Sequence, residues 1–412
     1  MTKTITLSQG ISLYIAAILG SGVLFVSGIT ASMAGPASIV SWSIVILFSF
    51  PLAYSFASLA RDFPDAGGTA TFVRKSFGYH LGNIVGWFYF VTAAVGQTIV
   101  SLTGAFYLSN AFEFGLFGEV LSAVIILLIA GSFNYFGLEV SGKVALFIST
   151  SLLILLIITI IVALPNVSFQ NFQPFFSEGL YPIGTAITVI FWAFFGWEAI
   201  CNLSSSFTEP HKNIVKSSMI SAFIIGLLFL LLSFVTIGTG TYGSEESDFS
   251  PVAIIIQDTL GIGAKILTAI LAYLICIGTS NAFIASLTQL GYSLSRDKAF
   301  PRFLSKIHSS GVPRRMVVFS VVFAICGVII TVLLSVTIND LLFIPTSLGL
   351  IVYALTMLAG IKLFDSKSRP WISSLISFIF ILSVIPFFKI YVLVPLVVFL
   401  IYCIYMKIIK KT

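Results

Sequence analysis

The chain has 412 residues, 58% of them hydrophobic and 9% charged, with a mean hydropathy of +1.10. Soluble domains run near a quarter charged, so these values exclude a soluble globular fold and indicate a polytopic membrane protein. The net charge of +6 does not indicate a nucleic-acid partner, because the Lys and Arg residues are dispersed among loops rather than massed on one face. Cys201, Cys276, Cys326 and Cys403 lie in apolar segments without C-x-x-C pairing, and no H-E-x-x-H occurs. Neither a disulfide framework, a metal site nor the commonest intramembrane metalloprotease is therefore indicated.

Twelve segments reach the length of about 20 residues needed to span a bilayer. They lie near 9–32, 37–60, 80–109, 119–138, 142–164, 183–208, 214–240, 262–294, 315–335, 339–362, 371–388 and 390–408. The expected fold is all-α, a single transmembrane domain over 1–412. In the first segment Ser32-Met33-Ala34 mimics a signal-peptide cleavage site. Its basic flank is only Lys3 and it carries a glycine pair at its centre, so it is expected to be a retained span.

Sidedness follows from the basic residues. With the amino terminus in the cytoplasm, every Lys and Arg falls in an inner loop or end except Lys265 and Lys389. The inner set includes Lys3, Arg61, Arg74, Lys75, Lys143, Arg296, Arg314, Lys410 and Lys411, while Glu113, Glu119, Glu178, Glu245, Glu246 and Asp248 fall outside. This positive-inside pattern places both termini in the cytoplasm. The outer stretch Ser250–Gly261 is apolar but too short to span. It fits either a re-entrant or surface-lying helix acting as an outer lid or a plain loop helix.

Two segments carry features that lipid would not retain without a reason. The sixth reads T-V-I-F-W-A-F-F-G-W-E-A-I-C-N-L over Thr188–Leu203, with Gly196 at mid-depth and Glu198 two residues on. An acidic residue at the bilayer centre costs roughly 2.5–3.5 kcal/mol, and intramembrane ionisable groups are functional by default. Glu198 is thus the candidate for binding a proton during a transport cycle. The first segment reads I-A-A-I-L-G-S-G-V-L-F, placing Gly20-Ser21-Gly22 at a matching depth. It enters from the inside and the sixth from the outside. Two broken helices of opposite direction, five spans apart, are what an inverted repeat produces.

Unwinding exposes complementary groups. Free N–H groups and a positive helix end after the first break favour an anion at Ser21–Val23. Free carbonyls before Gly196 favour a cation at Trp192–Phe195. A zwitterion such as an amino acid fits between them, with its side chain left to a separate pocket. Elsewhere, the Gly78, Gly82 and Gly86 run is expected to serve packing. Gln97 is expected in the bundle interior with its amide satisfied.

Four stretches resemble the amino acid–polyamine–organocation transporter superfamily along nearly the whole chain. They are G-S-G-V at Gly20–Val23, P-D-A-G-G-T-A-T-F-V-R-K-S-F-G at Pro64–Gly78, F-F-G-W-E-A and F-T-E-P-H-K-N-I-V-K within Phe194–Lys216, and the basic loop Arg296–Arg315. Within the superfamily the chain is most similar to the bacterial amino-acid efflux branch, which exports methionine and branched-chain amino acids. The resemblance implies a five-plus-five inverted repeat, over 9–164 and 183–362, with helices 11 and 12 (371–408) outside it. It implies alternating access in the bacterial plasma membrane and no enzymatic activity or organic cofactor. It assigns the substrate carboxylate to Ser21 and Gly22 and the amine to the carbonyls of Trp192 and Phe195. Ile18, Trp192 and Phe283 would line the side-chain pocket, with Ser347 a further candidate.

Two departures from the family pattern stand out. The loop tyrosines are replaced by Ala70 and Phe72. The helix-5 region Phe147–Leu152 lacks the lysine that stands in for sodium in some relatives. Proton coupling is expected and sodium is the alternative, for which Thr279 and Ser280 offer hydroxyls. The functional expectation is a secondary transporter of neutral, apolar amino acids working outward. The alternatives are an uptake permease or exchanger of the same fold and, in another class, a channel. Oligomeric state stays open.

Overall fold

The computed structural model describes residues 5–64, 68–137, 142–198, 201, 204, 207–309 and 311–409, with the side chains of 142–146 and 409 excepted. Lys3, Asp65–Gly67, the Lys143 side chain, Ala199, Ile200, Asn202, Leu203, Lys410 and Lys411 lie outside the described residues.

Among the described residues the chain is helical throughout, without a named strand. The first segment is split into α1 (Leu7–Ile18) and α2 (Val26–Ala34). Thr6 and Gln9 form a capping box that starts α1. Then follow α3 (Ser38–Asp62), the short α4 (Gly68–Phe77), α5 (Tyr79–Phe112), α6 (Leu116–Phe136) and α7 (Gly142–Ala163). The sixth segment supplies only α8 (Tyr181–Ala193) before it unwinds. The chain continues through α9 (Pro210–Gly238), α10 (Glu245–Phe249), α11 (Pro251–Leu260) and α12 (Ile262–Arg296). It closes with α13 (Arg314–Leu333), α14 (Ile338–Leu363), α15 (Arg369–Val384) and α16 (Val394–Ile409). Among the described residues, nine helical stretches are long and apolar enough to cross a membrane. Two of these, Val26–Asp62 and Arg369–Ile408, hold 37 and 40 residues, nearly twice the span requirement. Each bends at a positive φ, Gly35 (+59°) in the first and Lys389 (+53°) in the second.

The core is organised on α5 and α14, the most deeply buried of the long helices. In lipid, apolar burial drives helix association little, and close packing of small residues drives it more. The seam between α5 and the antiparallel α12 follows that rule. A Cβ added to Gly86 would lie 2.9 Å from Leu294, one on Gly96 3.5 Å from Phe283, and one on Gly104 2.7 Å from Cys276. Gly82 packs in the same way against Arg74 of α4, whereas Gly78 makes the turn into α5 at φ +91° with nothing near its missing Cβ.

One end of the bundle carries both described chain ends. Ile5 bridges to Phe207 just before α9, and Tyr405 of α16 packs on Trp87 at the start of α5. The same end holds α4, which Lys362 grips through the Ser76 carbonyl at 2.8 Å. At the opposite end α10 and α11 cover the bundle. A Cβ on Gly28 of α2 would stand 2.6 Å from the carbonyl oxygens of Ser247 and Asp248. Asn110 donates to Ser250 at 3.0 Å, Phe106 packs on Phe249, and Lys265 pairs with Glu246 at 2.9 Å. The short apolar stretch after Ser250 is the helix α11, a form common to the lid and loop-helix readings.

Candidate functional site

The first break runs from Leu19 to Phe25. Leu19 closes α1 with its N–H on Ile15, Gly20 is extended (φ −94°, ψ −164°), and Ser21–Leu24 form one 3-10 turn. The second half-helix, α2, starts at Val26 rather than directly after Gly22, so Ser21–Val23 sit inside this turn. The turn has no side-chain cap. Its first N–H groups, on Ser21 and Gly22, thus lack a partner one turn back.

The second break begins at Phe194, whose N–H returns to the Phe191 carbonyl at 3.0 Å. In a continuous helix the Gly196 N–H would bond the Trp192 carbonyl. Here it is taken by the Glu198 carboxylate (3.1 Å) and the Tyr353 hydroxyl (3.3 Å), which releases the Trp192 carbonyl. Gly196 adopts φ +133°, which only glycine tolerates readily. The helical partner of the Phe195 carbonyl, Ala199, lies outside the described residues.

The two breaks touch. A Cβ on Gly196 would lie 2.8 Å from the Ala17 carbonyl oxygen and 3.0 Å from Ile18, and one on Gly22 would lie 2.9 Å from the Trp192 ring. Around them, Trp192 and Phe283 are parallel at 6.4 Å and 6°, and Phe195 stands edge-on to Trp192 at 6.4 Å and 89°. Gly20 faces Thr279, and Gly96 of α5 supplies a bare surface under Trp192 and Phe283. Ile18, Ser21, Gly22, Val23 and Trp192 are buried, while Gly20, Phe195 and Phe283 are half-buried.

Ile18, Gly20, Ser21, Gly22, Trp192, Phe195 and Phe283 are thus assembled around one point. Ser347 is buried, but its hydroxyl donates to the Ile344 carbonyl within α14 (2.9 Å). On that helix the contact to the site is made instead by Gly349, against the Phe195 ring. Thr279 likewise donates to its own helix, at Ile275, whereas the buried Ser280 hydroxyl has no partner among the described residues.

Glu198 is 7% exposed and receives hydrogen bonds from Tyr89 of α5 and Tyr353 of α14, besides Gly196. It therefore ties the unwound backbone to the two most buried helices. The tyrosines were not legible as partners; a tyrosine within an apolar span was the only signal. Gln97, one residue beyond Gly96, corrects the expectation of a satisfied amide. It is wholly buried and neither amide atom has a partner among the described residues.

Residues 5–407 match the amino acid permease family. The chain belongs to that family. It is 31% identical to the uncharacterized amino acid permease YecA of Bacillus subtilis, over 92% of this chain and 89% of that protein. It is 27% identical to the L-methionine/branched-chain amino acid exporter YjeH of Escherichia coli, over 90% and 88%. It is 24% identical to the branched-chain amino acid permease BcaP of Bacillus subtilis, over 71% and 67%. This amino acid permease is accordingly a multi-pass membrane transporter and not an enzyme.

Proposed function

We propose that this permease is a secondary active transporter that moves neutral, hydrophobic amino acids outward across the bacterial plasma membrane by alternating access, coupled to protons. The observation that carries the reading is the direct contact of two opposed helix breaks, Gly22 on Trp192 and Gly196 on Ala17. Free N–H groups at Ser21 and Gly22 suit a carboxylate, and the released Trp192 carbonyl suits an ammonium group. Trp192, Phe283, Phe195 and Ile18 then surround the side chain with apolar surface. The exporter and the branched-chain permease among the relatives support the substrate class, and the exporter supports the direction.

The reading takes the chain as one transmembrane domain of twelve spans. The 40-residue stretch has the length of two spans, Val26–Asp62 joins one half of the broken first span to the second, and α8 with its unwound continuation adds the sixth, which supports that count. Residues 9–164 and 183–362 form the inverted repeats and 371–408 the last two spans. Both termini face the cytoplasm and α10 with α11 form an outer lid. Glu198 is the proton-coupling residue, and sodium is not required.

Reconstitution into liposomes with labelled amino acids tests this, with pH and sodium gradients imposed separately. Saturable methionine or leucine flux that follows the pH gradient is expected. Ohmic current without saturation, or flux driven only by sodium, would overturn it.

A further inference from the structure

Between the first half of α3, α8 and the last turns of α15 runs an open groove of about 330 Å3. Ile44, Phe48, Ile187, Ile379 and Phe380 line it, and Ser383 is its one hydroxyl. Its floor is fixed, with Phe48 and Phe380 stacked at 4.0 Å and 8° and Phe380 resting on Phe191 at 5.7 Å. Phe387 closes one end, its ring seated on the bare backbone of Gly184, which leaves no room for a Cβ. Tyr181 packs across the same ring at 5.4 Å.

The residues beside the groove face outward, Leu47 at 66% and Leu382 at 45% exposure. Both are apolar, so the groove opens on a face that bilayer covers. Apolar atoms lining an unfilled slot forfeit dispersion contacts on one side, and the solvent available to fill this one is hydrocarbon chain.

A cation follows the groove's end closely in the chain. Lys389 follows two residues after Phe387, is exposed, and is held at φ 53° and ψ −132°, a conformation rare outside glycine. Lys265, also at the lid end, is 7% exposed and paired with Glu246. Lys389 makes no ion pair among the described residues. An apolar slot with a lysine two residues beyond its end, in no ion pair among the described residues, matches a molecule with an aliphatic chain and an anionic head.

We propose that this groove is a phospholipid site, with one acyl chain between α3, α8 and α15 and the phosphate at Lys389. The bound chain rests against α8, the half-helix that ends at Trp192. The assignment needs only that the protein sits in a membrane and does not depend on which amino acid it carries.

Native mass spectrometry of the detergent-purified protein tests it, with dioleoyl phosphatidylglycerol added in parallel with dioleoylglycerol, which has the same chains and no phosphate. One phosphatidylglycerol per protein should be retained in preference to the diacylglycerol. Lys389→Ala should weaken that retention roughly fivefold, the effect of about one basic residue at a membrane surface. Ser383→Trp, which fills the groove from its exposed rim, should abolish it, while Val318→Trp on the distant α13 should not. The proposal is overturned if both groove variants, with melting temperatures matching the parent, retain phosphatidylglycerol as the parent does. Equal retention of the two lipids also overturns it. So does a dimer peak lost in Ser383→Trp, which would make a second copy the occupant. Should Ser383→Trp not fold, Lys389→Gln read against both lipids decides the same question.

Discussion

Gly196 lies so close to Ala17 that a single methyl group on it would stand 2.8 Å from the Ala17 carbonyl oxygen. That atom is backbone and cannot rotate away, and φ at Gly196 is +133°. Gly196→Ala should therefore lose about 1–3 kcal/mol to backbone strain, with the collision added. A fall in melting temperature together with loss of amino-acid flux is expected. A variant with the parent's melting temperature and flux would show that the breaks do not need to touch.

Gly22→Val tests the opposite contact. Its added carbons meet the Trp192 ring at 2.9 Å rather than an immovable backbone. Trp192 must move, and with it one wall of the pocket, so the protein should insert into membranes normally but carry substrate poorly. Normal transport by a correctly inserted Gly22→Val protein would remove this region from the site.

Glu198→Gln replaces an acceptor of three hydrogen bonds by a group with one acceptor oxygen and an NH2. Tyr89 and Tyr353 cannot both keep donating, and a hydrogen bond to a charged group is worth about 1.5–3 kcal/mol. The expected result is slower exchange whose pH dependence is flattened relative to the parent. An unchanged pH profile would reduce Glu198 to a tie between helices, a role that Tyr89→Phe would then share.

Selectivity follows from what surrounds Trp192. Ile18, Phe195 and Phe283 offer no second charge, and an unpaired buried charge costs several kcal/mol. Leucine and methionine should bind at least about a hundredfold better than arginine or glutamate. Phe283→Ala, which removes the ring parallel to Trp192, should shift preference to larger side chains. Competition assays in which arginine displaces methionine equally well would contradict the apolar pocket.

The α10 segment carries its own pH dependence. Burial pushes the Asp248 carboxyl above the usual carboxylate range, against a hydrogen bond from the Gly243 N–H and one from Ser32. A carboxyl raised by folding stabilises the fold below its unfolded pKa, and that contribution is lost as pH rises through the folded value. Thermal stability measured across acidic pH should therefore contain a component that Asp248→Asn removes. The same slope in parent and variant would exclude Asp248 as its source.

Composition and glycine placement made much of this architecture legible. The span positions follow from apolar runs, because lipid forces backbone groups to be satisfied within each helix. Gly20, Gly22 and Gly196 marked both breaks, since a membrane helix keeps such residues at mid-depth for a reason. Ser347 was not separable from Gly349 by sequence, because which face of α14 meets Phe195 depends on rotation about the helix axis. Tyr89 and Tyr353 were hidden for a related reason. Each lies far from Glu198 in the chain, and only packing brings α5 and α14 to one carboxylate. Gln97 defeated the reading more completely, as burial of an amide carries no sequence mark of what satisfies it.

The bare backbone of Gly28 has a further consequence. With no side chain between α2 and the Ser247–Asp248 peptide, the cap over the bundle and the outer half of the first helix are geared together. With so little space between them, α2 cannot tilt towards the cap without displacing it. A fluorophore on the exposed Glu245 would then act as a remote pointer. Displacement at the Leu19–Phe25 break would be read at the surface, with nothing introduced near the amino acid.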